Sequence, residues 1–509
     1  MTVAADIANR HLLNAEGLAE KPLHAAQRVR IVVAKEWAAS CAGQLLVSCL
    51  VNLLVRQIGI VSEIDIVAPE TDSLISLPNG DISGPFPGCL KLIAEWAVKD
   101  RIRVSIRDEA EANVDVTVLV GTNANVRSGQ ALYAVGNGWK AWLGRPDFAP
   151  AEVVPNSSNP LGPYFAAALA AGEVFKNCRP PLNGRFIESD GYSLWSGRNA
   201  TDWMSLEDGP EVAGAKLRPI HVIGAGAVGN GLAYVLANAR LAEAYVVMID
   251  DDKYTDTSLN RCFLAGWEDI DHPKVEAITS ALLKSGIGAF PFEGTISKYL
   301  DGDRSGLRPD IERKVKDLAF DSVASCVDLG GSRQDIQGLS PTLLFGGSTL
   351  GLKARANFYP MRLGAACLAC FNPREKNGDK LRELVTKLRG LDQAARWAYL
   401  DKEGIDPKLV DEYLSRPECG SLGEAAIRNL ATRSVATFSV GFVSLGAALL
   451  LAPKSSNTCC STTVSHAATC HRLIFAIAAW AIPSWEPTKA VNFVAKNDVS
   501  FTKRFNLFL

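Results

Sequence analysis

The 509 residues of this chain exceed the length of one ordinary domain, so the sequence is expected to form two or more folded units. A net charge of −2 at pH 7 argues against a broad basic surface, and we predict no nucleic-acid partner. The 12 cysteines are irregularly spaced and no secretion signal opens the chain, which favours reduced thiols and a cytoplasmic location.

Two uncharged stretches, residues 37–55 and 434–452, must be weighed as membrane spans because of their length. A span is expected to hold about twenty strongly apolar residues, whereas both stretches are diluted by polar and small residues. We therefore predict two buried core helices and no membrane partner.

The first α/β pattern runs over residues 28–68, as a β-rich run, a turn, a long apolar helix and a second β-rich run. The turn reads AKEWAAS and contains no glycine, so its backbone should not wrap closely around a phosphate. No acidic residue directly follows the second β-rich run, where a ribose would lie. The stretch predicts a nucleotide-binding fold that has lost its nucleotide loop.

The same outline returns at residues 219–277, where the turn has the spacing G-x-G-x-x-G. Glycines in such a turn let backbone N–H groups approach phosphates at a helix N-terminus, and a carboxylate about twenty residues later can hold a ribose hydroxyl. Alone, this pattern indicates only a nucleotide, and a tight turn that merely packs a helix on a strand is the alternative. The residues concerned are Gly224, Gly226, Gly229 and Asp250, with strands expected at 220–223 and 244–249 and a helix at 230–239.

Further segments match between the two halves of the chain. The run 116–120 resembles the run 321–326, and the apolar stretch 160–176 resembles 434–454. Such a repeat predicts two copies of one α/β domain, face to face, and two unrelated Rossmann-like domains are the alternative. The predicted units are an inactive copy at 1–190, a linker at 191–216 and an active copy at 217–509 with a charged helical region at about 374–425.

Four features that follow the second glycine turn form a set that a dehydrogenase does not need. Metal-dependent nucleotidyl transfer uses a carboxylate for the ribose, cationic side chains for the phosphates, and a second carboxylate that binds Mg²⁺. The set comprises the acids at 250–252, the segment 258–261, the segment 273–277 and the run 321–328.

Together these residues resemble the superfamily of ThiF, MoeB and the ubiquitin-activating enzymes, well over residues 216–454 and more loosely over the first 190. The resemblance implies two Rossmann-like α/β adenylation domains, inactive and active, that form a pseudo-dimer. It also implies ATP and Mg²⁺ as cofactors. In the roles that it implies, Gly224, Gly226 and Gly229 frame the ATP phosphates, Asp250 holds the ribose, Asn260, Arg261 and Lys274 contact the phosphates, and Asp328 binds Mg²⁺.

The sequence departs from the family pattern in the segment before Lys274. The family's S-N-L-N-R-Q reads T-S-L-N-R-C at residues 257–262, so the first Asn and the Gln are missing and the fine geometry is put in doubt. Family members also complete the site with an arginine from the opposing copy, in a pattern like R-Q-x-x-L-x-G. Arg10, in the sequence R-H-L-L, is a loose match and is predicted for this role.

Two cysteine features also resemble the family. Cys367 and Cys370 look like the first half of its structural zinc site, which takes four thiolates from two C-x-x-C pairs. No second pair follows at suitable spacing, so we expect two ordinary thiols and no zinc. Cys419, in a glycine-rich turn before a helix, resembles the crossover-loop cysteine that accepts an acyl group, and Cys459 and Cys460 are its rivals.

The resemblance implies activation of a ubiquitin-like protein, whose C-terminal carboxylate is adenylated, transferred to Cys419 as a thioester and passed to a conjugating enzyme. Fusion of an inactive and an active copy is similar to the activating enzymes of bacterial ubiquitination-like antiphage operons. The first alternative is a sulfur-carrier adenylyltransferase without a thioester step. The second is a nicotinamide-dependent oxidoreductase, which would leave Asn260, Arg261, Lys274 and Asp328 without a role.

Overall fold

Two β-sheets with a shared strand order organise the chain in a computed structural model. The structure describes residues 26–75, 84–107, 114–122, 130–177, 186–302, 320–328, 330–350, 352–360, 367–372, 377–416, 422, 426–427, 430 and 440–459.

The first sheet has the spatial order β3-β2-β1-β4-β5-β6-β7-β8. Strands β1 to β5 are joined by parallel pairings, and β6, β7 and β8 are added in antiparallel pairings. The strands are β1 (Gln27–Val33), β2 (Val61–Val67), β3 (Arg103–Ile106), β4 (Val116–Val120), β5 (Gln130–Asn137), β6 (Lys140–Gly144), β7 (Ser189–Ser193) and β8 (Asn199–Ala200).

The second sheet has the order β11-β10-β9-β12-β13-β14, in which only β13 and β14 pair in the antiparallel sense. Strand for strand, this order repeats that of β3-β2-β1-β4-β5-β6, so the predicted duplication is present in the topology. The strands are β9 (Ile220–Ile223), β10 (Tyr245–Asp250), β11 (Gly288–Glu293), β12 (Ser322–Ser325), β13 (Leu343–Leu350) and β14 (Lys353–Pro360).

Among the described residues, helices follow β1, β2 and β6 in the first copy, and helices also follow the corresponding strands β9, β10 and β14 in the second. The described helices of the first copy are α1 (Lys35–Ala38), α2 (Cys41–Leu54), α3 (Phe86–Val98) and α4 (Leu161–Asn177). Those of the second copy are α5 (Ala227–Asn238), α6 (Lys274–Lys284), α7 (Ile296–Leu300), α8 (Gly330–Gly338), α9 (Leu368–Phe371), α10 (Asn377–Gly390), α11 (Gln393–Lys402), α12 (Pro407–Ser415) and α13 (Gly441–Cys459).

The boundary predicted at residue 190 is wrong in one respect, because the segment taken as a linker supplies strands to the first sheet. Strand β7 pairs with β6, and β8 pairs with β7. The indole of Trp139 also donates a hydrogen bond to the carbonyl of Pro210 at 2.7 Å, which ties the end of the segment to the same sheet. These strands are short and poor in apolar residues, so their sequence resembles a loop.

Four apolar helices, α2 and α4 from the first copy and α5 and α13 from the second, pack where the copies meet. The rings of Tyr164 and Tyr234 stack there with centroids 4.7 Å apart, and those of Phe175 and Phe442 lie 5.5 Å apart. Buried side chains from both copies form one continuous hydrophobic cluster. The two copies therefore share the largest hydrophobic cluster among the described residues.

The buried Gln44 of α2 forms hydrogen bonds within its own copy, which lets a polar side chain lie in an otherwise apolar helix. The side-chain amide of Gln44 donates to the carbonyls of Ala38 and Asp72, and its oxygen accepts from the N–H of Leu74. Among the described residues, none of the helices combines the length and apolar character that a bilayer crossing demands.

We expect Tyr164→Ala to lower the free energy of unfolding by about 3 kcal/mol or more, because it removes a fully buried ring from the contact between the copies. Denaturant titration of the full chain measures the loss. Tyr164→Phe keeps the ring and is expected to cost less than about 1.5 kcal/mol. Equal losses in both variants would contradict the importance of the ring stack.

Candidate active site

The glycine turn after β9 brings the backbone of β9, α5 and the end of β12 into close contact. Gly224 has a φ of 99°, and a Cβ on it would lie 2.8 Å from the backbone carbon of Cys326. A Cβ on Gly229 would lie 1.9 Å from the carbonyl oxygen of Gly224. Both positions therefore require glycine, as the spacing predicts.

Gly226 serves a different purpose, because it leaves the N-terminus of α5 open. It is the N-cap residue and offers no side chain to the first N–H groups of the helix. A Cβ built on it meets no heavy atom within 4 Å. Free N–H groups at a helix N-terminus favour an anion, and a phosphate is the ligand that such a turn commonly binds.

Asp250 lies at the end of β10 beside this turn. Its carboxylate accepts hydrogen bonds from the N–H groups of Ala225 at 2.6 Å and Asp252 at 2.8 Å. Burial raises the pKa of this carboxyl, and Lys274 and the two N–H groups partly offset that rise. A carboxylate can accept more than two hydrogen bonds, so Asp250 keeps the capacity to bind hydroxyl groups.

Lys274 is the first residue of α6, where the helix dipole disfavours a positive charge. Two carboxylates hold it there: its Nζ lies 2.5 Å from Oδ2 of Asp252 and 3.9 Å from Oδ1 of Asp250. The side chains of Lys274 and Asp250 are each 12 % exposed. This ion pair places a cation beside the glycine turn at a position that helix stability alone would not select.

Asn260 and Arg261 lie in the segment between β10 and α6. A guanidinium N–H of Arg261 donates to the carbonyl of Thr257 at 2.7 Å and to Oδ1 of the buried Asn260 at 2.9 Å. Burial lowers the pKa of Arg261, and the negative charges of Asp328 and Asp252 oppose this shift.

Asp328 follows β12 and is exposed. Its neighbour Val327 accepts a hydrogen bond at 3.0 Å from Nε of Arg333, a residue of α8. The carboxyl ends of β9, β10 and β12 are adjacent in the sheet, so the residues predicted from three distant segments meet at one edge. Hard oxygen donors such as the Asp328 carboxylate suit Mg²⁺.

The corresponding edge of the first copy is closed. A Cβ on Gly121, just after β4, would lie 1.9 Å from the indole of Trp37, so this indole packs against the backbone there. The side-chain oxygen of Ser40 caps α2 by accepting from the N–H of Gly43 at 3.1 Å. The first copy thus has an indole and a side-chain cap where the second has an open glycine turn, and its inactivity stays a prediction.

Several predicted residues lie outside the described part of the chain, namely Arg10, Cys419 and Cys460. Cys459 is the last residue of α13. The roles predicted for these residues stay predictions. Within the charged region expected at about 374–425, α10, α11 and α12 are present, and the buried residues Leu388, Leu400 and Val410 contribute to a small hydrophobic cluster.

Cys367 and Cys370 are close together, with their sulfur atoms 3.4 Å apart. Burial acts to raise the pKa of the Cys367 thiol, but hydrogen bonding from Cys370 and the backbone outweighs it and lowers that pKa. The turn that carries them is bound by α8, since the side-chain amide of Gln334 donates to the carbonyl of Asn372 at 2.7 Å. The expectation that this pair does not bind zinc stays a prediction.

Sequence reasoning missed Asn52 and Arg56, which reach from the first copy into the segment that carries Asn260 and Arg261. The signal that could have found them is a polar pair with i, i+4 spacing at the end of an otherwise apolar helix. Such a pair on a buried helix needs hydrogen-bond partners, and the neighbouring sequence does not show which residues those are.

The model of the ThiF family matches residues 214–479, and that of the BilD N-terminal domain matches residues 28–182. Because the first match covers more than half of the chain, this protein belongs to the ThiF family, and the predicted membership is confirmed. The second match falls on the copy whose turn after β1 lacks glycine, so both halves of the predicted α/β architecture correspond to known domains.

Two curated relatives are similar over part of the chain. "Uncharacterized protein y4jF" of Sinorhizobium fredii is 24 % identical over 289 residues, which cover 56 % of this chain and 52 % of the relative. "Bacterial E1-like protein BilD" of Collimonas sp. is 27 % identical over 184 residues, or 34 % of this chain and 38 % of the relative. The chain thus spans about half, or less, of the length of these relatives.

Two solved structures of E. coli MccB were also found. The complex with ATP is 20 % identical, has a TM-score of 0.24, and is matched over 33 % of this chain and 47 % of that chain. The complex with MccA-N7isoASN is 17 % identical, has a TM-score of 0.30, and is matched over 49 % and 59 %.

Gly229→Ala and Gly226→Ala are expected to act differently, because only the first adds a methyl group where another atom already lies. The first should lower the free energy of unfolding by about 1–3 kcal/mol through overpacking. The second should change it by less than about 0.5 kcal/mol. Thermal unfolding followed by circular dichroism measures both, and equal effects would contradict the described turn.

Proposed function

We propose that this protein adenylates the C-terminal carboxylate of a ubiquitin-like protein with ATP. The observation that carries the proposal is the convergence of two kinds of group at one sheet edge. Carboxylates and cations meet there beside an uncapped helix N-terminus, and the residues concerned are Asp250, Arg261, Lys274 and Asp328.

ATP suits this arrangement group by group. The open N-terminus of α5 offers N–H donors to phosphate oxygens, and the Asp250 carboxylate can accept hydrogen bonds from ribose hydroxyls. Arg261 and Lys274 supply positive charge to the remaining phosphates. A nicotinamide dinucleotide would use the turn and Asp250 but would give these two cations and Asp328 no role in the reaction.

Mg²⁺, when bound by Asp328 and the phosphates, would neutralise charge on the phosphate oxygens and fix their geometry. Asp328 fits this role because its carboxylate is exposed just after β12, the strand that neighbours β9 and its glycine turn. The remaining work falls to the protein's own side chains, which place the reactants and stabilise charge.

In the proposed reaction, a carboxylate oxygen of the partner protein attacks the α-phosphorus of ATP. A bond forms between that oxygen and the α-phosphorus, and the bond from the α-phosphorus to the oxygen that bridges to the β-phosphate breaks. Pyrophosphate leaves with the electron pair, and the acyl-adenylate remains. Negative charge grows on the departing pyrophosphate, and Arg261 and Lys274 are the cations that would neutralise it.

For the second step we propose that the Cys419 thiolate attacks the acyl carbonyl, so that a thioester forms and AMP leaves. The acyl group then passes to the thiol of a conjugating enzyme. This step rests on the family resemblance and on similarity to the BilD N-terminal domain. The same two grounds support a contribution of Arg10 to the ATP site and a role in a bacterial antiphage system.

We expect Asp328→Asn to reduce partner-dependent exchange between ATP and labelled pyrophosphate by about a hundredfold or more, because it removes the charge that holds Mg²⁺. Folding should be unaffected, since the side chain is exposed. Asp321→Asn is the matched control, because this exposed acid precedes the same strand at its opposite end, at least about 13 Å away. Undiminished exchange in Asp328→Asn would contradict the assignment of the site.

Cys419→Ala is expected to spare that exchange and to abolish a thiol-sensitive adduct between this chain and the partner, because adenylation precedes thioester formation. Intact-mass measurement after incubation with ATP, Mg²⁺ and a candidate ubiquitin-like protein reads out the adduct. An adduct that persists in Cys419→Ala but disappears in Cys459→Ala or Cys460→Ala would move the thioester to one of those residues. Exchange without any adduct in the unmutated chain would favour a sulfur-carrier adenylyltransferase.

A further inference from the structure

The degenerate copy inserts two polar side chains into the catalytic half of the molecule. Asn52 lies near the end of α2, and Arg56 lies two residues beyond the last residue of that helix, Leu54. Both are buried, with exposed fractions of 0 % and 1 %. Nε of Arg56 donates to Oδ1 of Asn52 at 2.8 Å, so the two side chains act as one unit.

Their targets are backbone carbonyls in the segment Leu259–Ala265. Arg56 donates to the carbonyls of Leu259 at 2.7 Å and Ala265 at 2.9 Å. The carbonyl of Phe263 accepts from Asn52 at 3.2 Å and from Arg56 at 3.5 Å. The bonded carbonyls bracket Asn260 and Arg261, which are the two phosphate-contacting residues implied for this segment.

Two further side chains of the same copy, Trp96 and Arg101, contact the residues that follow this segment. Trp96, a residue of α3, lies against Gly266, where a Cβ would come within 2.3 Å of the indole nitrogen. The guanidinium of Arg101 lies 4.2 Å from the ring centroid of Trp267. The segment is therefore covered by the degenerate copy from Leu259 to Trp267.

The catalytic copy holds the other side of the segment. Oδ1 of Asn230 accepts from the N–H of Leu264 at 2.9 Å, and its amide donates to the hydroxyl of Tyr254 at 2.9 Å. Asn230 belongs to the first turns of α5, directly after Gly229. The segment is thus fixed between the glycine turn on one side and Arg56 on the other.

Burying an arginine at this position costs free energy that packing alone would not require. Burial removes the guanidinium from water and lowers the pKa of Arg56 to about 10. A hydrophobic side chain of similar length would fill the space without that penalty but would leave the carbonyls of Leu259 and Ala265 without these donors. The geometry therefore favours a role in holding the backbone.

We propose that Arg56, supported by Asn52, is a positioning residue that sets the place of Asn260 and Arg261 at the ATP phosphates. The inference rests on the proposed function for the identity of the nucleotide, and it gives the degenerate copy a task in that function. The copy that cannot bind a phosphate itself would order the phosphate-binding side chains of its partner copy.

The test compares the binding of ATP with Mg²⁺ and of adenosine to the full chain, by isothermal titration calorimetry and ligand-detected NMR. Arg56→Met should weaken ATP binding by about tenfold or more, because the loss of its charged hydrogen bonds to the carbonyls of Leu259, Phe263 and Ala265 releases the segment. Adenosine binding should stay unchanged, because adenosine has no phosphate. Arg56→Lys, which keeps the charge and some donors, should recover part of the ATP affinity.

Arg240→Met is the matched control, since Arg240 also donates across the copies, to the carbonyl of Leu74 at 2.6 Å, but does not contact the segment. It should leave ATP affinity unchanged. In a double-mutant cycle, Arg56→Met should add little to the loss caused by Arg261→Met, because the first residue acts through the second. Additive losses, or equal losses for ATP and adenosine, would overturn the proposal.

Hydrogen–deuterium exchange provides an independent measurement. Arg56→Met should increase exchange at the amides of Leu259–Ala265 while the strands of both sheets keep their protection. Unchanged exchange there would also overturn the proposal. Failure of the unmutated chain to adenylate any partner would contradict the proposed function alone, because these measurements read nucleotide binding and backbone order and do not require acyl transfer.

Discussion

The shared core between the two copies is the constraint on which the rest of the structure depends. Helices α2, α4, α5 and α13 are too apolar to face water, so each copy must cover the other. The stacked rings of Tyr164 and Tyr234 are one visible result. Because the copies are packed in this way, residues at the end of α2 reach a loop of the opposite copy, and the backbone of the candidate site is held by both halves.

The duplication also shows how one fold can be either open or closed to a nucleotide. Both copies have the same strand order, yet the turn after β9 carries glycines and the turn after β1 carries Trp37. In the second copy the helix N-terminus is left uncapped at Gly226, whereas Ser40 caps its counterpart. A few side chains therefore distinguish an uncapped helix N-terminus from a capped one, without any change in topology.

Much of the fold could be predicted from the sequence because local patterns carry it. The glycine spacing fixes close backbone contacts at Gly224 and Gly229, and the apolar helices reveal the core. The end of the first unit could not be predicted, since β7 and β8 are short and polar and exist only through pairing with β6. Local sequence does not record a pairing partner that lies far along the chain.

The position of part of the candidate site could be predicted, because its residues adjoin helices and strands that local sequence patterns reveal. Asp250, Lys274 and Asp328 stand at the ends of recognisable elements, so parallel strand topology alone brings them together. The contribution of Arg56 was not predictable, because its partners are backbone carbonyls that have no signature in the sequence. Arg10 and Cys419 belong to neither group and stay predictions from family resemblance.

Identification of the bond that is cleaved in ATP tests the central claim most directly. The full chain would be incubated with Mg²⁺, ATP labelled at the α-phosphate and a candidate ubiquitin-like protein, and the products separated. Adenylation of the partner should give pyrophosphate and labelled AMP, the latter bound to the partner before its release. Formation of ADP and orthophosphate, or partner-independent turnover, would contradict adenylation of a carboxylate at this site.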